Sequence, residues 1–98
     1  MPENPLKPIE DFDPELLKTL QAAQMMALGE GGALPKKVKL LIALALDASH
    51  GSANGVKALS GAAMANGATK QEVAEALRVA YYISGAGSVY TAADAFRT

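Results

Sequence analysis

The sequence contains no cysteine. That excludes disulfides, thiol nucleophiles and thiolate metal ligands. It has no tryptophan, and aromatic residues make up only 5% of its 98 positions, so its core must come mainly from aliphatic side chains. His50 is the only histidine. One imidazole and scattered carboxylates do not complete a transition-metal shell within one chain. A site shared between subunits stays open; otherwise no metal and no cofactor is expected. Neither sign of charge dominates: nine Lys and Arg stand against ten Asp and Glu, a net charge of −1. No global field therefore draws nucleic acid or an anionic membrane. The apolar run "LLIALAL" is too short for a bilayer, since Asp47 and His50 follow it at once. The leading "MPENPLKPIEDFDP" is polar and proline-rich, unlike a signal peptide. A soluble cytoplasmic protein is the expectation.

What the chain does have is alanine and leucine, both strong helix formers, and a 50% hydrophobic content that suits one globular domain. Pro2, Pro5 and Pro8 predict an extended arm over residues 1–12. In "FDPELL", Asp13 suits an N-cap and Pro14 the first helical position, with Phe12 and Leu17 at staple spacing. Leu16, Leu17, Leu20, Ala23 and Ala27 continue as a helical stripe until "GEGG", with Met25 and Met26 as core or interface filler. Pro35 opens a second helix that is apolar nearly all round from Val38 to Leu46, so it is either central or covered by another subunit. A third helix is predicted from about Asn54 to Asn66, with Val56, Leu59, Ala62 and Ala63 facing inward and Asn66-Gly67 as its stop.

"TKQE" is the sharpest local signal: Thr69 and Glu72 have capping-box spacing. Val73, Ala76, Leu77, Ala80 and Tyr81 follow as a core stripe, and "SGAG" is expected to break that helix at Ser84 to Gly87. A last helix from about Ser88 to Phe96 completes the set. No segment alternates as a strand does. The fold class is all-α, a bundle of about five helices over residues 13–98, and a chain this small gains by forming oligomers.

"LPKKVKLLIALAL", a polar turn and "ALSGAAMANGATKQEVAEALRVAYYISGAGSVYTAADAF" together resemble the carboxymuconolactone decarboxylase-like, or alkyl hydroperoxidase D-like, family from about Asp13 to Phe96. The resemblance implies a helical scaffold that assembles as a homotrimer or homohexamer. The family's redox members carry a CxxC, a histidine four residues beyond it and a glutamate on the preceding helix. Aligned through "NGATKQE", these positions hold Ser52, Gly55, Leu59 and about Leu40. Peroxide reduction by that route needs a low-pKa thiolate and a resolving thiol. Serine and glycine supply neither. The decarboxylase members also place a histidine where Leu59 stands.

Among the remaining polar residues, His50 is the only group suited to acid–base work near neutral pH. Asp47 precedes it by three positions and can share its helix face, and Ser52 is close in sequence. A reaction centre of His50, Asp47 and Ser52 therefore stands beside a plainer reading, in which His50 and Asn54 cap helix ends. Lys36 and Lys37 are candidates for a substrate carboxylate, and Tyr82 for a pocket or a subunit interface. "GAGSVY" lacks the third glycine and the preceding strand of a dinucleotide fingerprint. Three functions follow. One is an oligomeric small-molecule-binding protein without the peroxidase centre. Another is a decarboxylase or lyase acting on a small carboxylate or lactone through His50. The third is a scaffold docked by its proline-rich arm.

Overall fold

The computed structural model describes residues 4–97, and among these every regular element is helical. In chain order they are α1 (Lys7–Phe12), α2 (Pro14–Leu28), α3 (Lys36–Ser49), α4 (Ala53–Ala65), α5 (Lys70–Ala92) and a closing 3₁₀ turn, Ala93–Phe96. No helix among the described residues is long and apolar enough to cross a membrane. The chain divides into two compact units, Met1–Gly32 and Ala33–Thr98.

In the first unit, the extended reading of residues 1–12 is corrected over Lys7–Phe12, which is helical. Pro8 is tolerated because it falls in the first turn, where backbone N–H groups have no intrahelical acceptor. The Asn4 carbonyl and side chain receive the N–H groups of Lys7 and Leu6 at 3.1 and 3.0 Å. Pro2 lies outside the described residues. Asp13 caps α2 as expected, its Oδ1 accepting the Leu16 N–H at 3.1 Å. Phe12 is exposed, so the staple to Leu17 is not closed. Neither helix of this unit has a buried residue: Leu16, Leu20, Met25 and Met26 are all exposed, and the two methionines fill no core within the chain.

The second unit is organised by α3, which packs against both α4 and α5. Leu40 and Leu44, one turn apart, supply its buried stripe; Ala63 on α4, Ala68 in the following turn and Ala80 on α5 complete the core. Small alanines facing two leucines let the helices approach closely. On the other side of α3, Ile42 and Leu46 are 47% and 56% exposed. The helix is thus central and still partly uncovered.

The α4–α5 connection is fixed by backbone. Gly67 has φ +99°, its N–H donates to the Met64 carbonyl at 3.1 Å, and the Ala68 N–H donates to the Ala63 carbonyl at 2.9 Å. This is a Schellman motif, closed by the apolar pair Ala63 and Ala68. Thr69 and Glu72 then form the expected capping box. The predicted break at Ser84–Gly87 is overturned: α5 runs unbroken through it, and only the short turn Ala93–Phe96 follows. A glycine costs a helix about 1 kcal/mol relative to alanine, which is too little to stop a helix already propagating cooperatively. Tyr81 is also corrected: the inward stripe of α5 ends at Ala80, and Tyr81 is exposed.

Because Leu44 is, among the described residues, the one large side chain with no exposed surface, Leu44→Ala is expected to destabilise the fold by about 2–5 kcal/mol, measured as a shift of the urea unfolding midpoint.

Candidate functional site

The "SHGS" corner between α3 and α4 is a second Schellman motif. The Ser52 N–H donates to the Asp47 carbonyl at 2.9 Å, the Gly51 N–H to the Ala48 carbonyl at 3.2 Å, and Gly51 has φ +75°. Main-chain bonds therefore hold the turn that presents all three candidate catalytic side chains.

His50 is the C-cap of α3. Its Nδ1 lies 2.8 Å from the Leu46 carbonyl oxygen. A carbonyl only accepts, so Nδ1 carries the proton, and in the neutral ring Nε2 keeps its lone pair. The side chain is exposed. Asp47 goes elsewhere. A Cβ built on Gly55 would come within 2.1 Å of Asp47 Oδ2 and 2.9 Å of Ser52 Oγ. Both oxygens thus close on the backbone of Gly55, in the first turn of α4, where a carboxylate meets the positive end of the helix dipole. The corner brings Asp47 and Ser52 together and leaves His50 oriented by the Leu46 carbonyl. Ser52 sits at the N-cap of α4 without a side-chain capping bond, and Asn54 falls inside the helix rather than capping it.

The candidate lysines lie at the other end of α3. Lys37 Nζ is 3.0 Å from Glu72 Oε2, with both side chains about one-third exposed. Glu72 Oε1 accepts the Thr69 N–H at 2.9 Å, and Thr69 Oγ1 accepts the Glu72 N–H at 3.1 Å. One carboxylate thus completes the cap of α5 and neutralises a cation at the positive end of α3. The Thr69 backbone N–H, followed by Lys37, lowers the Glu72 pKa below its ordinary 4.5. His50 follows Lys37 by thirteen positions on α3 and its cap, about 20 Å along the axis at 1.5 Å per residue. A single small substrate cannot reach both in one chain.

Beside the His50 turn, α3 and α5 border an open trough of about 360 Å³ lined by Ala48, Ser49, Leu77, Ala80, Tyr81, Ser84 and Gly85. Ser84 Oγ donates to Ser49 Oγ at 2.9 Å, and Ser49 Oγ donates to the Ala45 carbonyl at 3.0 Å. This hydroxyl pair is absent from the sequence-based candidates. Its members stand 35 positions apart, and the expected helix break hid Ser84. Tyr82 lines an open groove along α5 with Val89 and Tyr90, which adjoins the trough through the shared Tyr81 and Gly85. Of the two positions that the resemblance assigns to a glutamate and a histidine, Leu40 is buried and Leu59 half-buried, so both are filled with hydrocarbon. Among the described residues no group of three or more His, Asp or Glu gathers as a metal shell.

Residues 14–98 match the sequence profile of the carboxymuconolactone decarboxylase family. No curated protein and no solved structure matches the chain.

The lowered Glu72 pKa makes the α3–α5 clasp acid-sensitive. Its stabilising contribution is complete above about pH 4.5, the carboxyl's ordinary value, and is lost as pH falls through the lower folded value. Glu72→Gln is therefore expected to be less stable than the parent above that pH, with the difference shrinking in acid. Denaturant unfolding of both proteins across the acid range measures it.

Proposed function

The chain belongs to the carboxymuconolactone decarboxylase family, and we propose that it is a member without the thiol peroxidase centre, acting in the cytoplasm as a homo-oligomer, trimeric or hexameric, that holds a small molecule. The observation that carries this reading is the α3–α4 corner itself. It offers Ser52 and Gly55 where the resemblance places a thiol pair, in a sequence with no cysteine at all. A hydroxyl cannot be oxidised to a sulfenic acid and resolved to a disulfide.

Support for ligand binding comes from the α3–α5 trough. Its volume of about 360 Å³ falls within the 300–1,000 Å³ usual for small-molecule sites. Its lining is mostly apolar, with the Ser49–Ser84 hydroxyl pair as its polar feature. That suits a small, largely apolar molecule carrying one hydroxyl or carbonyl group. Support for assembly comes from the small aliphatic core and from Ile42 and Leu46, apolar yet uncovered on α3.

A second reading is favoured by one observation: the free Nε2 lone pair of His50, fixed by the Leu46 carbonyl on an exposed turn. It makes His50 the acid–base group of a decarboxylase or lyase. The substrate carboxylate would then need a cation other than Lys36 or Lys37 of the same chain.

Three measurements decide between these. Consumption of an organic hydroperoxide in the presence of a dithiol is expected to stay at its uncatalysed rate; protein-dependent turnover overturns the leading reading. Phenol, as a probe, is expected to shift the amide resonances of Ser49, Ala80 and Ser84, and Ser84→Phe to abolish those shifts by filling the trough; unperturbed spectra overturn the ligand site. Carbon dioxide release from carboxymuconolactone that His50→Ala leaves undiminished removes the second reading.

A further inference from the structure

The hydroxyl pair in the α3–α5 trough has a direction, and the direction follows from counting protons. A carbonyl has none to give, so Ser49 spends its single hydroxyl proton on the Ala45 carbonyl at 3.0 Å. In its 2.9 Å contact with Ser84, the Ser49 oxygen can then only accept, and the Ser84 proton is spent in turn. The pair has lone pairs left for a ligand and no hydrogen. We propose that the trough selects neutral molecules that donate a hydrogen bond, phenols above all, over ethers, ketones and carboxylates, which only accept. The proposal rests on the ligand-binding reading above and names its chemical class.

The rest of the lining agrees. Ala48 and Ser49 lie in the last turn of α3, and Leu77 to Gly85 lie well past the first turn of α5. Backbone N–H groups at such positions bond inside their own helix, so the walls add no free amide donor. None of the lining residues is charged. A carboxylate therefore meets no cation there, and an ammonium meets no carboxylate, which leaves a neutral donor. The adjoining groove repeats the pattern: Ser88 Oγ donates to the Gly85 carbonyl at 2.6 Å, so its proton is spent as well.

The hydrocarbon of the ligand has its own partners. Ala80 is buried and Leu77 half-buried, and they give the trough an apolar floor. Tyr81 stands at the rim with most of its ring exposed, where it gives an aromatic ligand a ring to pack against. The substrate carboxylate of a decarboxylase or lyase offers acceptors only, so the trough is not the place for it.

Two isomers test the proposal. p-Cresol and anisole share one molecular formula and differ in whether the oxygen carries a proton. Each is titrated into the whole protein and followed by the amide resonances of Ala80 and of positions 49 and 84. p-Cresol is expected to bind about threefold to tenfold more tightly, the span of one net hydrogen bond, and benzoate more weakly than p-cresol. In Ser49→Ala/Ser84→Ala, where both sites are exposed and helical and alanine favours helix, the isomers are expected to bind alike, with far-UV circular dichroism unchanged. The proposal is overturned, and the trough stands as a site, if anisole or benzoate matches p-cresol on the parent. It is overturned equally if the preference survives in the double variant. If neither isomer shifts those resonances, the ligand-binding reading falls and this one with it.

Discussion

The second unit depends on α3 being buried from two directions at once. Neither α4 nor α5 could bury its apolar stripe without it, because each leans on α3 and not substantially on the other. Leu40 and Leu44 occupy the stripe they share. The rest follows from that geometry. Because α3 is central, its C-terminal turn can hold the polar corner against the first turn of α4 while Ser49 meets Ser84 on α5. Its N-terminal turn meets the start of α5 through the Lys37–Glu72 pair. The two ends of one helix are thus committed to different tasks, cohesion at one and a candidate ligand site at the other.

The corner separates framework from chemistry. Its shape comes from Gly51 and from carbonyls of α3, not from the side chains of His50, Asp47 or Ser52. A helix stop of the same kind ends α4 at Gly67, where no candidate site lies. Membership of the family, matched over residues 14–98, and a sequence without cysteine are therefore compatible, because main-chain bonds form the corner without sulfur.

Local signals were the legible ones. Asp13 with Pro14, Thr69 with Glu72, and Asn66-Gly67 each act within a few residues, so their chemistry could be read before any packing was known. Three prolines point to an extended segment, yet α1 is helical because Pro8 occupies the one part of a helix that needs no N–H. At Ser84–Gly87 the sequence predicts a break from propensity alone, whereas the cooperativity of a long helix carries α5 through it. Tyr81 fits the 3.6-residue period but stands at the rim of the α3–α5 trough with most of its ring exposed, so its periodicity points to a core position that it does not occupy. The site was less legible than the fold for the same reason. Asp47 and Ser52 are neighbours in sequence as well as in space, whereas the Ser49–Ser84 bond joins distant helices, and the division of labour between the ends of α3 shows only once its axis is laid out.

One consequence concerns the glycine at position 55. Its bare Cα is the floor on which the Asp47 carboxylate and the Ser52 hydroxyl rest. Any larger residue there would have to evict the aspartate first. The two states of the corner, acid seated or side chain seated, are therefore mutually exclusive occupants of one small volume.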